Sequence, residues 1–137
     1  MRKLVIAATA AAACLTPSTA AHSAAASGAG EITWYDPSRG GTVKPLGACG
    51  NEIGPDDLKA SVSYQLFDGY WGSNPNHNPI CGRKIQINYQ GRSVIATIAD
   101  RCHACEGEND VELTAPAFKE LAPLEQNRLF GAAWDWV

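Results

Sequence analysis

The sequence predicts a small, mainly β domain closed into a barrel. Short runs with period-two alternation recur between residues 31 and 137, which sends neighbouring side chains to opposite faces. Clusters of Gly, Asn, Pro and Asp separate these runs and punctuate them as strands. Only one segment has clear helical spacing. About six short strands in a chain of this size lose their exposed edges most simply by closing on themselves.

The first run is EITWY (31–35), ended by Pro37, Gly40 and Gly41. LGACGNEIGPDD (46–57) is turn material, in which Pro55, Asp56 and Asp57 are expected to start a brief helical turn. VSYQLF (62–67) alternates and is the second strand. DGYWGSNPNHNPICG (68–82) is a long loop. KIQINY (84–89) and SVIATIAD (93–100) flank the tight-turn pair Gln90 and Gly91, which makes a hairpin. Residues 110–113 form a further short strand. Thr114 then N-caps a helix in APAFKELA (115–122), where Ala117, Phe118 and Leu121 share a face and Pro116 is tolerated in the first turn. GAAWDWV (131–137) is the final strand. No internal repeat and no Pro- or Ser-rich linker divides residues 27–137, so one domain is expected.

The first 26 residues read differently. Arg2 and Lys3 precede an Ala-rich apolar run from Leu4 to Leu15, and small residues follow with cleavage options between Ala20 and Ala26. This is the pattern of a secretory signal peptide. The run falls short of the roughly 20 residues that span a membrane. Cys14 lacks the leucine three positions earlier that lipid attachment favours; Ala11 stands there. Residues 1–26 are therefore expected to be removed on export, leaving 27–137, a secreted, extracellular protein with no membrane anchor.

Without Arg2 and Lys3, nine basic residues face fourteen acidic ones, a net charge of −5. Nucleic acid and anionic lipid both demand a basic footprint, so neither is expected as a partner. Export also fixes the redox setting. Cys49, Cys81, Cys102 and Cys105 form an even set in a small exported domain, which points to two disulfides among three pairings.

ADRCHACEGEND (99–110) invites three other readings. Zinc requires four ligands in closed geometry, and adjacent Cys102 and His103 are poorly placed to share one ion. A redox CxxC sits at a helix N-terminus, whereas this pair precedes an acidic turn that raises thiol pKa values. Covalent haem requires a histidine where Glu106 stands. No metal and no cofactor is expected.

The succession TWYDP, LGACG, NPICGRKIQINYQGRSVIATIADRCHAC, DVELTAPAFKELA and a terminal aromatic strand resembles the double-psi β-barrel superfamily. Barwin, expansin first domains, family 45 endoglucanases and rare-lipoprotein-A-type lytic transglycosylases belong to it. The likeness spans essentially all of residues 27–137. It leans toward stand-alone secreted members, fungal barwin-like proteins and the Streptomyces papain-inhibitor type. The resemblance implies a six-stranded double-psi barrel with one or two short helices, and the pairing Cys49–Cys81 with Cys102–Cys105. It also makes Asp100 the candidate catalytic residue, a general acid. Thr33 and Tyr35 match a Thr-x-Tyr pattern, but Asp36 comes one residue earlier than the family's second aspartate. His77 stands near the position of a transglycosylase histidine, in a different local motif. A fold of this kind hosts several functions.

Two functions follow. The first is a non-catalytic inhibitor of papain-like cysteine proteases, acting as a monomer through the loops 36–41 and 69–79, with Tyr70 and Trp71 as exposed aromatic anchors. The second is a domain that binds or cleaves cell-wall polysaccharide, peptidoglycan or cellulose, with Asp100 as acid and Thr33, Tyr35 and Trp71 lining a groove. Trp134 and Trp136 share one strand face and suit a barrel core. The structural reading of Asp100 is an aspartate that accepts backbone hydrogen bonds at a strand end.

Overall fold

In a computed structural model the protein is described over residues 28–40, 45–70 and 74–137. The expected leader, Gly41 and Trp71 lie outside the described residues. Six strands, β1 (Gly28–Tyr35), β2 (Lys59–Ser63), β3 (Lys84–Tyr89), β4 (Arg92–Cys102), β5 (Val111–Thr114) and β6 (Arg128–Trp136), close a barrel in the order β1-β5-β2-β4-β3-β6. Two parallel pairs, β1 with β5 and β2 with β4, interrupt the antiparallel pairing. The directions that follow from this register finish β1, β3 and β5 at one end, called upper here, and β2, β4 and β6 at the other.

The core is the inward face of the alternation: Ile32, Val62, Ile85, Ile87, Ile98, Val111, Leu113, Leu129 and Trp134 are all buried. Two short helices add to it, as do Cys49, Ile80, Leu121 and Ala122 from the connecting segments. α1 (Tyr64–Gly69) follows β2 at the lower end and contributes Leu66 and Phe67; α2 (Ala115–Lys119) follows β5 at the upper end and contributes Ala117 and Phe118. Both expected disulfides are present, Cys49–Cys81 and Cys102–Cys105.

Three local expectations need correction. VSYQLF is not one strand: β2 runs Lys59–Ser63 and the chain then turns into α1. Ser63 is the N-cap, its hydroxyl accepting from Leu66 N at 3.2 Å. Leu66 and Phe67 are adjacent and both buried, which a helical turn allows and strict strand alternation does not. Residues 55–57 form a hydrogen-bonded turn instead of a helical one, with Gly54 N donating to Asp57 Oδ2 at 2.7 Å. Thr114 holds the N-cap position of α2, yet makes no side-chain cap bond. Its hydroxyl donates to Asp57 O and accepts from Lys59 N, tying the loop before β2 to β5.

Candidate functional site

The register lines up polar residues across four strands. Thr33 on β1 stands opposite Glu112 on β5, Glu112 opposite Ser61 on β2, and Ser61 opposite Asp100 on β4. The last match needs an irregularity: Ala60 pairs with Ile98, but Ser61 pairs with Asp100, so Ala99 is an extra residue. Such a bulge re-aims the following side chain. Ile32, Val62 and Leu113, which alternate with the row, are buried in the core, so the row lies on the outer face. Glu112 and Asp100 are two strands apart, about 10 Å between Cα atoms.

Asp100 is half-buried and accepts two backbone hydrogen bonds on Oδ1, from Ala48 N at 2.7 Å and Arg101 N at 2.8 Å. Glu112 is the second carboxylate beside it. Burial pushes its pKa up, and the charge of Asp100 pushes it further the same way. Tyr35, on the same face as Thr33, is pushed up to about 12, chiefly by burial; a contact with Ser61 opposes the rise, and the charges of Asp100 and Glu112 add to it. The Tyr35 hydroxyl is enclosed beside Ser61 without a partner in good hydrogen-bond geometry.

A groove of about 390 Å³ opens beside the row. Thr33, Trp34, Glu112, Arg128 and the Cys102–Cys105 turn line it, and Asp100 does not. Its acids are partly committed. Glu31 is paired with Arg128, and Asp110 accepts from Glu31 N at 2.8 Å and Gly107 N at 2.7 Å. Among the described residues no three His, Cys, Asp or Glu side chains are grouped to hold a metal ion.

The other expected residues scatter. Asp36 accepts from Ser38 N and Ser38 Oγ at 2.9 and 2.6 Å, which starts the 3-10 turn Pro37–Gly40 and holds its pKa below the usual carboxylate range. It therefore serves its own turn. His77 is exposed in the turn Pro75–His77. Tyr70 is half-buried and packs edge-on against Trp136 at 6.3 Å, and the Arg83 guanidinium lies 3.7 Å over that indole. Trp134 is fully buried, and its indole N–H donates to Asn109 O at 2.9 Å. The loops beginning at residues 36 and 69 leave from opposite ends of the barrel, because β1 and β2 finish at opposite ends.

Glu112 is the residue the sequence reading passed over. Its only signal is a lone acid between Val111 and Leu113 in DVELT, which marks an outward position on a strand. That it neighbours Asp100 depends on register across β2.

No protein-family model matches the chain. Over 110 residues it is 31% identical to the papain inhibitor of Streptomyces mobaraensis, covering 79% of this chain and 70% of that protein. The chain belongs to the papain inhibitor family. The solved structure of the Streptomyces papain inhibitor superposes with a TM-score of 0.69 at 28% identity, over 82% of this chain and 96% of that one. An expansin of Clavibacter michiganensis, solved with cellohexaose, superposes with a TM-score of 0.62 at 22% identity, over 80% of this chain and 49% of that one. This second likeness is one of fold.

Proposed function

We propose that this protein is an exported, monomeric inhibitor of papain-like cysteine proteases, released by loss of residues 1–26. The single observation that carries the reading is the family relationship, which spans most of both chains in sequence and nearly all of the relative's fold. The architecture suits the task. A closed barrel offers no strand edge to a protease, and two disulfides hold its loops. Inhibition here needs shape and rigidity, with no bond made or broken. The test is a titration of papain, followed with a fluorogenic peptide, against purified residues 27–137. The expected result is full inhibition at micromolar protein or below; undiminished papain activity at that concentration refutes it.

The pairing of Asp100 with Glu112 favours one second reading, a polysaccharide-binding or polysaccharide-cleaving domain. General acid catalysis needs a carboxyl that keeps its proton near neutral pH beside one that does not. Resemblance nominates Asp100 as the acid. Oδ1 of Asp100 is committed to two amides, and burial favours the protonated form of Glu112, so Glu112 suits the acid role better. Thr33 and Tyr35 would flank the bound chain. Under this reading the protein releases soluble fragments from peptidoglycan or cellulose, and Glu112→Gln and Asp100→Asn each abolish the release. Absence of both binding and release refutes it.

A further inference from the structure

A protease cleft is concave, so the element that fills it must be convex, apolar and fixed in advance. Among the described residues the large apolar side chains that stand exposed are Leu46, Leu58, Tyr64, Ile95, Phe130 and Val137. Ile95 and Phe130 lie on strand faces. Leu46, 70% exposed, stands on a turn, and the residue after it, Gly47, is buried against the barrel.

That turn is tied down along its length. Leu46 and Glu52 form an antiparallel bridge, Ile53 N donates to Pro45 O at 2.9 Å, and Gly47 N donates to Asn51 O at 3.0 Å. Cys49 N donates to Ala99 O at 3.2 Å and Ala48 N to Asp100 Oδ1 at 2.7 Å, which fasten the turn to β4. The Cys49–Cys81 bridge fastens it to the segment before β3. Two glycines allow the fit. A Cβ on Gly47 would lie 2.2 Å from Ala99 O, and Gly50 has φ +80° with its missing Cβ 2.8 Å from the Asn76 side chain. The turn 45–50 therefore abuts the turn Pro75–His77, and the two make one projecting surface.

Resting on the inhibitor reading above, we infer that the turn 45–50 is the protease-facing element, with Leu46 entering an apolar subsite of the cleft and Asp100 acting as a positioning residue that holds the turn. The alternatives fit less well. The turn Pro37–Gly40 exposes Arg39 and buries Pro37, so it offers no apolar anchor. Tyr70 is already engaged by Trp136. Asp100 on this view is the clamp that turns an exposed leucine into a preorganised one.

The experiment measures inhibition constants for papain with the wild-type protein and four variants, alongside thermal unfolding. Leu46→Glu is expected to weaken inhibition by about 10- to 100-fold, the worth of one buried leucine, with unchanged melting temperature. Phe130→Glu places the same charge at an equally exposed apolar site and is expected to leave inhibition unchanged. Asp100→Ala is expected to weaken inhibition several-fold. Asp100→Asn, whose amide oxygen still accepts from Ala48 N, is expected to restore most of it. If the wild-type protein inhibits and Leu46→Glu inhibits equally well, the inference is wrong while the inhibitor reading stands. If the wild-type protein does not inhibit, both fall.

Discussion

Replacing Cys49 and Cys81 together by alanine should cost more stability than any surface change in this protein. The bridge joins residues 32 apart, whereas Cys102 and Cys105 are 3 apart. Loop-closure entropy then assigns about 4 kcal/mol to the first bridge and about 2 kcal/mol to the second. The native side of the comparison changes little for Cys49–Cys81, because the turn keeps its hydrogen bonds to Ala99 and Asp100. For a domain of about 110 residues, 4 kcal/mol lowers the melting temperature by about 15 °C. Urea unfolding followed by tryptophan fluorescence, with calorimetry in parallel, measures both variants under identical conditions. Equal losses, or a larger loss from Cys102→Ala with Cys105→Ala, would show that native contacts govern these bridges and that the entropic reasoning is wrong.

Three further outcomes are expected. Glu112 has a folded pKa above its unfolded one, so its contribution to stability is full below the unfolded value and is lost as pH rises through the folded value. Glu112→Gln should therefore gain melting temperature relative to wild type at pH 7 but not at pH 3; parallel pH profiles would contradict the raised pKa. Asp68 behaves oppositely, because its two-point pairing with Arg101, at 2.7 and 2.6 Å, holds its pKa down. Arg101→Met should lose melting temperature at neutral pH and little at pH 2, and the small size of the loss follows from the partial exposure of both groups. Gln90 adopts φ 46° in the two-residue hairpin turn with Gly91, so Gln90→Asn should raise stability by about 0.5 kcal/mol in urea unfolding, since asparagine tolerates the left-handed region better.

Much of the fold was legible because period-two alternation is a local property. The hairpin of β3 and β4 follows from KIQINY, Gln90-Gly91 and SVIATIAD, and the core residues Ile85, Ile87, Val94, Ala96 and Ile98 are those the alternation predicts. The reading failed where a side chain had two uses. VSYQLF carries strand-like composition, but Ser63 caps a helix in its middle. Thr114 has the sequence of a cap and spends its hydroxyl on the chain before β2. Tyr70 looked like a free aromatic in a polar loop, and only the neighbouring end of β6 supplies Trp136 to cover it.

The sequence by itself determined a small barrel held by two disulfides, because alternation and turn residues each act over a few residues and an even cysteine count is read without the fold. Only the tertiary structure decided which acids meet. A single extra residue at Ala99 turns Asp100 onto the face of Ser61 and Glu112, and β2 stands between the two carboxylates. That adjacency is set by strand order and register, which couple positions distant in the chain and leave no local mark in either stretch.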